Sequence, residues 1–219
     1  MFLFLYQTKL LLKYKRVIVI GRDLTLNINF WIAILSAAIL LLLIFNVRNS
    51  RRFNLFDHWL HHKLLIRKHD GIGWQIIAFI NDPKLLVVLD VFLASFLISK
   101  NKNLLAFWVL FTLGFTDLIG IFLKKWMRRK RPILHSDLEE GYSFPSGHVL
   151  GSTVMALIIW QIFANQLGNR LLLILAIIWL MVVISRISLK AHFPSDILGA
   201  TSLAVLCFSI AQQLLFLII

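Results

Sequence analysis

The chain has 219 residues, 59% of them hydrophobic, with 23 lysines and arginines, 10 acidic residues and a net charge of +13. This apolar fraction exceeds the roughly 45–50% of soluble domains, which excludes an ordinary soluble protein and indicates an integral membrane protein. The basic residues lie between apolar runs, so anionic lipid headgroups or a phosphorylated substrate are better partners than nucleic acid. The single cysteine, Cys207, forms no intrachain disulfide.

Residues 1–26 combine short apolar pieces with several basic residues, and no small-residue cleavage site follows them. This pattern is not typical of a signal peptide. It favours a basic amphipathic segment that lies on the membrane surface. We expect residues 27–219 to form a single domain.

Six apolar runs follow, and each predicts a membrane-spanning helix. They cover residues 27–47, 85–99, 104–123, 148–164, 171–189 and 196–218. Between the first two runs, the sequence WLHHKLLIRK predicts a short interfacial helix, and Asn81-Asp82-Pro83 predicts a break. The predicted fold class is therefore all-α, a polytopic membrane protein built as a six-transmembrane-helix bundle. Both termini would share one side, and the loops after spans one, three and five would share the other.

Three polar clusters lie on that second side. The first is KKWMRRKRP, residues 124–132, which by itself is typical of a basic stop at a membrane boundary. The second contains a Pro-Ser-Gly turn at residues 145–147, which opens a helix whose free N–H groups can bind phosphate; an ordinary turn is the alternative. The third, residues 185–196, places Arg186, His192 and Asp196 around a helix start, where a capped loop is the alternative.

Taken together, the clusters are more specific than any one of them. They supply three cationic groups, a phosphate-binding turn and two histidines, one of which has a carboxylate four residues later. These are the groups required for phosphoryl transfer through a covalent phosphohistidine.

With these motifs the sequence resembles the type 2 phosphatidic acid phosphatase/haloperoxidase superfamily. Its signature is Lys, six residues, Arg-Pro; then Pro-Ser-Gly-His; then Ser-Arg, five residues, His, three residues, Asp. All three parts match in order and spacing, at residues 124–132, 145–148 (within 143–148) and 185–196. The resemblance implies a membrane phosphatase that needs no metal or other cofactor. Lys190 departs from the small residue usual at its position, and Phe193 replaces a frequent tyrosine.

The resemblance also implies a role for each matching residue. His192 would be the nucleophile, Asp196 would orient it, and His148 would act as general acid and then general base. The residues implied to bind phosphate are Lys124, Arg131, Ser146, Gly147 and Arg186.

Several titratable residues fall outside the motifs. Asp90 and Asp117 lie inside the second and third spans, and we expect them to pair with polar neighbours rather than to take part in catalysis. His58, His61 and His62 have no accompanying ligands at metal-site spacing, so a hydrated interfacial helix is the better interpretation.

The sequence thus predicts an enzyme that hydrolyses a lipid phosphomonoester or diphosphate. The candidate substrates are phosphatidic acid, phosphatidylglycerol phosphate and undecaprenyl diphosphate. One alternative is a phosphotransferase that passes the phosphoryl group to another lipid such as lipid A. Another is a non-catalytic lipid-binding or transport protein with this fold. No obligate protein partner is implied.

Loop charge and the resemblance disagree about orientation. The loops after spans one, three and five carry 15 lysines and arginines, and the other polar segments carry 8. The positive-inside rule would therefore place the clusters in the cytoplasm. The resemblance implies a bacterial cytoplasmic membrane with the active site at its outer face. We favour the outer face, because a phosphate site needs cations on whichever side it lies.

Overall fold

The computed structural model describes residues 28–65, 72–132 and 141–218, which contain eight α-helices and no strand. The basic segment predicted at residues 1–26 lies outside the described residues. The helices are α1 (Ile28–Asn49), α2 (Arg51–Leu64), α3 (Ile72–Ile80), α4 (Pro83–Ser99), α5 (Asn103–Met127), α6 (Gly147–Leu167), α7 (Asn169–Ser188) and α8 (Pro194–Ile218). The all-α membrane fold predicted from the sequence is confirmed.

Short capping motifs start α2 and α4. The Ser50 hydroxyl accepts a hydrogen bond from the Phe53 N–H and so starts α2 directly after α1. The predicted break at residues 81–83 is observed between α3 and α4. There the Asp82 carboxylate accepts from the Lys84 N–H, and Pro83 takes the first helical position. These caps turn the chain without leaving helix ends unsatisfied.

The centre of the bundle is made by α5, α6 and α8, which pack against one another, while α4 packs on α5 and α6, and α7 packs on α6. Small side chains allow α8 to approach its neighbours closely, since Ala200, Ala204 and Ala211 are fully buried. The Trp108 indole N–H donates to the Ala211 carbonyl at 2.9 Å and so ties α5 to α8 near the end of α8. This packing holds the helix ends that carry the sequence motifs.

Five of the described helices are long and apolar enough to cross a membrane, namely α1, α5, α6, α7 and α8. The predicted second span corresponds to α4, which at 17 residues measures about 25 Å, somewhat less than the roughly 30 Å hydrocarbon core. Six spans were expected, and all six apolar runs are helical, but only five of the described helices reach full membrane-spanning length. Because Asp82 and Lys124 lie at the same end of the bundle, α4 still leads the chain from that end to the opposite one.

The helix bounds correct the sequence prediction at the motifs. The third span was predicted to end before Lys124, but α5 continues to Met127, so Lys124 lies in its last turn. The sixth span was predicted to begin at residue 196, but α8 begins at Pro194, so Asp196 lies in its first turn. Polar residues at a helix end near the headgroups extend a helix beyond its apolar run, and apolar periodicity does not detect them.

Candidate active site

Four helix ends meet at one end of the bundle, and each carries part of the sequence signature. Lys124 lies in the last turn of α5, His148 in the first turn of α6, Arg186 in the last turn of α7, and Asp196 in the first turn of α8. His192 sits in the short connection from α7 to α8. The structure thus brings together residues that are up to 72 positions apart in the sequence.

His192 is 1% exposed and is held by a backbone carbonyl. Its Nδ1 lies 2.9 Å from the Ser143 oxygen, which can only accept a hydrogen bond. Nδ1 therefore carries the proton, and Nε2 keeps a free electron pair. Burial lowers the pKa of His192 to about 4, although the Asp196 carboxylate opposes this and raises it. The histidine is neutral at physiological pH, as a nucleophile must be.

Asp196 is fully buried and lies near the same ring nitrogen. Its Oδ2 is 3.6 Å from His192 Nδ1, which is beyond a good hydrogen bond but close enough for the negative charge to act on the ring. The same Oδ2 accepts from the Phe193 N–H at 2.8 Å. Asp196 therefore acts on His192 mainly through charge, while the carbonyl of Ser143 sets the ring orientation.

The start of α6 places Ser146 and Gly147 close to Lys124 and to α8. Ser146 is fully buried, and its hydroxyl has no hydrogen-bond partner among the described residues. A Cβ added to Gly147 would lie 3.8 Å from Lys124 Nζ, so the glycine leaves open the space in front of the ammonium group. Free N–H groups at a helix start, an unsatisfied hydroxyl and a cation are the features of an anion site.

His148 lies on the more open side of the site, with 19% of its side chain exposed. The positive charges of Arg186, Lys124 and Arg131 act on it. Its Nε2 lies 3.9 Å from the carboxylate of Asp82, at the start of α4. His148 therefore lies between the cationic groups of the site and the Asp82 carboxylate.

Three residues of the site were not predicted from the sequence. Ser143 contributes only its carbonyl, which no sequence pattern could show. Arg129 lies in the basic run at residues 124–132, where the sequence does not distinguish it from its basic neighbours, yet it pairs with Asp196 at 2.7 Å. Asp57 lies on α2, far from the signature in sequence, and is 3% exposed.

The helix α2 has one exposed face and one buried face, and its histidines are divided between them. His58 and His62 are exposed, but His61 is 4% exposed and packs against the Phe193 ring. The physical reason is that α2 packs on α7 and α8, which removes one face from solvent. No cluster of three or more potential metal ligands occurs within residues 28–65, 72–132 and 141–218.

Asp90 behaves differently from the polar pairing expected. It is 2% exposed, and its Oδ1 has no hydrogen-bond partner in the part of the chain that the structure describes. Asp90 and Asp117 lie in the helices α4 and α5, which bring their charges near one another. Neither lies among the residues of the site.

Comparisons with known proteins agree with this geometry. The PAP2 superfamily model matches residues 105–217, and the chain belongs to that superfamily. A phosphatidylglycerophosphatase B from Bacillus subtilis is 27% identical over 146 residues, covering 62% of this chain and 70% of that protein. A phosphatidylglycerophosphatase B from Haemophilus influenzae is 43% identical over 83 residues, covering 35% of this chain and 34% of that protein.

The fold also matches a solved structure. The crystal structure of a transmembrane PAP2-type phosphatidylglycerolphosphate phosphatase from Bacillus subtilis gives a TM-score of 0.71 at 23% identity, covering 82% of this chain and 94% of that one. The chain is thus a multi-pass membrane lipid phosphatase, a phosphoric ester hydrolase of the PAP2 superfamily.

Proposed function

We propose that this protein hydrolyses the terminal phosphate of a membrane lipid through a phosphohistidine formed on His192. The observation that carries the proposal is the hydrogen bond from His192 Nδ1 to the Ser143 carbonyl. It holds the proton on Nδ1 and leaves the Nε2 electron pair for attack on phosphorus. A buried, neutral and oriented imidazole is the state that nucleophilic catalysis requires.

In the first step, the Nε2 electron pair forms a bond to phosphorus, and the bond from phosphorus to the lipid oxygen breaks. The electrons of that bond pass to the lipid oxygen, which takes a proton from the imidazolium form of His148. Lys124, Arg131 and Arg186 bind the phosphate oxygens and offset the negative charge of the transition state. Ser146 Oγ and the Gly147 N–H complete the phosphate cradle.

In the second step, the now neutral His148 accepts a proton from water, and the water oxygen attacks phosphorus. The bond from phosphorus to Nε2 breaks and returns its electron pair to His192. Inorganic phosphate leaves, and both histidines return to their starting states. The charge of Asp196 stabilises the ring while it carries the phosphoryl group.

A lipid fits this site because the catalytic groups lie at the end of a helical bundle. The headgroup can reach the cationic pocket while the acyl chains stay in the bilayer. We propose phosphatidylglycerol phosphate as the first substrate to test, because the relatives from Bacillus subtilis and Haemophilus influenzae are named phosphatidylglycerophosphatases. Phosphatidic acid and undecaprenyl diphosphate are the comparison substrates.

The test uses the purified full-length protein in lipid–detergent micelles with EDTA. Phosphate release is measured for the three lipids with wild type, His192→Gln and His62→Gln. His62 is an exposed histidine on α2 and serves as the matched control. We expect wild type and His62→Gln to release phosphate at equal rates, and His192→Gln to be slower by about 10³-fold or more.

Two further measurements decide the mechanism. The enzyme is mixed with a lipid that carries a radiolabelled phosphate and is denatured during turnover. The denatured wild type should carry an alkali-stable, acid-labile phosphoryl group, and denatured His192→Gln should carry none. Activity of His192→Gln near the wild-type rate would overturn the covalent mechanism. Chromatography of the lipid products, with and without added acceptor lipid, separates hydrolysis from transfer of the phosphoryl group to another lipid.

A further inference from the structure

A buried charge network joins α2 to Asp196 in the active site, and none of the proposed chemical steps uses its other two members, Arg129 and Asp57. Arg129 Nη1 donates to Asp196 Oδ1 at 2.7 Å, and Nη2 donates to Asp57 Oδ2 at 2.7 Å. The Arg129, Asp57 and Asp196 side chains are 9%, 4% and 0% exposed. One guanidinium therefore bridges two carboxylates from separate helices in a setting where water screens them little.

Asp57 has a second connection, to the beginning of α8. Its Oδ1 accepts from the Ser195 N–H at 3.1 Å, and its Oδ2 accepts from the Ser195 hydroxyl. A carboxylate at this place satisfies a free N–H group of the first helical turn. Asp57 thus fixes the start of α8, the same turn that carries Asp196.

Arg129 also holds the residue next to the nucleophile. Its guanidinium carbon lies 4.3 Å from the centre of the Phe193 ring, which is 3% exposed. The backbone N–H of Phe193 donates to Asp196 Oδ2. The guanidinium therefore contacts two residues of the segment that leads from His192 into α8, namely Phe193 and Asp196.

We propose that Arg129 and Asp57 are positioning residues for the nucleophile. Arg129 binds Oδ1 of Asp196 and thereby turns Oδ2 toward Nδ1 of His192, and Asp57 fixes the guanidinium and the first turn of α8. This role rests on the proposed function of His192 as nucleophile. It also means that α2, an element outside the sequence signature, is part of the catalytic architecture.

The two residues have opposite electrostatic effects on His192, and this separates positioning from simple helix packing. Arg129 offsets part of the Asp196 charge, and Asp57 draws the guanidinium away from Asp196. The other charged or titratable groups that face His192 are Arg186 on α7, Lys124 on α5 and His148 on α6. None of them changes when only Arg129 or Asp57 is replaced.

The experiment compares Arg129→Gln, Asp57→Asn and the double variant with the control Arg128→Gln. Arg128 is exposed, and its Nε donates to the Lys125 carbonyl of its own helix. We expect each single variant to lower kcat by about 10²-fold with KM changed less than about twofold, because displaced catalytic groups slow chemistry more than binding. The double variant should lose less than the product of the two single losses, and the control should match wild type.

An NMR titration of histidine-labelled protein gives a readout that packing alone does not move. The His192 signal is assigned by its absence in His192→Gln. Arg129→Gln should raise the pH at which His192 titrates, because Asp196 then acts at full charge. Asp57→Asn should lower the pH at which His192 titrates, because the guanidinium then pairs with Asp196 alone. Arg129→Lys should be more active than Arg129→Gln but less active than wild type, because an ammonium group cannot bridge two carboxylates as the planar guanidinium does.

The outcomes separate this proposal from the proposed function. Shifts of the His192 titration in the same direction, or no shift in either folded variant, would overturn the positioning role. So would wild-type kcat in Arg129→Gln. If wild type and Arg128→Gln release no phosphate from any lipid, the proposed function fails, and the opposite NMR shifts alone then decide whether the network positions Asp196. Thermal melting of each variant identifies any that does not fold. If Arg129→Gln does not fold, Arg129→Lys, which keeps the charge, takes its place.

Discussion

His192 is controlled by two oxygens that act in different ways. The Ser143 carbonyl, at 2.9 Å from Nδ1, selects the tautomer, while the Asp196 carboxylate, at 3.6 Å, acts through its charge. A carbonyl is neutral and fixed by the backbone, so it orients the ring without raising its basicity much. This division leaves His192, the proposed nucleophile, neutral in a buried site, where a protonated imidazole would be unfavourable.

The pH dependence of catalysis should reflect this neutral state. Burial lowers the pKa of His192 to about 4, so this proposed nucleophile stays unprotonated as the pH falls from 7 and becomes protonated only below about 4. We expect kcat/KM to fall tenfold per pH unit below that value, after the second ionisation of the substrate phosphate, near about 6, is measured by phosphorus NMR and corrected for. An acid limb at pH 6 or above would show that His192 is hydrated instead.

Lys190 has a backbone conformation that favours a glycine at its position. Its φ of 54° lies in the left-handed region, and its N–H donates to the Ile187 carbonyl in the turn that ends α7. A side chain in this region costs free energy that glycine avoids. The lysine that resisted interpretation in the sequence therefore occupies a strained turn.

Replacing Lys190 with glycine should stabilise the protein. We expect a gain of up to about 1 kcal/mol in the free energy of unfolding, measured by thermal melting in lipid–detergent micelles. Lys190→Ala is the matched control, because it removes the ammonium group but keeps the Cβ atom. Equal melting temperatures for the two variants would contradict the backbone explanation.

The turn at residues 145–147, which we propose binds phosphate, is held by a contact between its own segment and α8. The Ser146 N–H donates to the Asp196 carbonyl at 3.2 Å, which joins the start of α6 to the first turn of α8. One turn further along α8, Gly199 packs under the Phe144 ring, which is fully buried. The position of the turn is thus set by a close helix–loop contact.

Gly199→Ala should disturb this contact. The added Cβ would lie 2.5 Å from Phe144 Cε2 and Cζ, and the ring has no exposed space to enter. We expect the variant to lose about 1–3 kcal/mol of stability and most of its activity, because the ring must push the adjacent turn away. Gly114→Ala is the control, since its Cβ would meet nothing within 4 Å. Similar melting temperatures for both variants would refute the prediction.

At the scale of the whole molecule, apolar patterning predicted the helical bundle well. Each of the six apolar runs became a helix, because a spanning segment must satisfy its backbone internally and needs about 20 apolar residues to do so. The spacing of the signature also placed Lys124, His148 and His192 at one end of the bundle. These features depend on local sequence alone.

The network around Arg129 could not be predicted in the same way. Asp57 and Arg129 are 72 positions apart, and their pairing depends on how α2 lies across α7 and α8. Apolar periodicity describes which face of a helix is buried in lipid or protein, but it does not identify a polar partner. The Ser143 carbonyl carries no side-chain signal at all.

The orientation of the bundle gives a prediction for the whole molecule. With the active site at the outer face, the turn between α4 and α5 faces the cytoplasm, because these helices run between the two ends of the bundle. In a Cys207→Ser background, a membrane-impermeant maleimide should label Arg52→Cys on α2 in intact cells and should label Lys102→Cys only after lysis. The reverse pattern would place the site in the cytoplasm, as the loop charges suggest.

The bridge between Asp57, Arg129 and Asp196 also has a genetic consequence. Loss of Arg129 leaves two buried carboxylates without their shared cation, so the charge imbalance can be relieved by a second change at Asp57. A selection for restored growth, starting from a strain that depends on an Arg129→Gln copy, should therefore recover neutral replacements at Asp57. Substitutions at Asp57 and Arg129 should then compensate for one another, although two apolar runs separate these residues in the sequence.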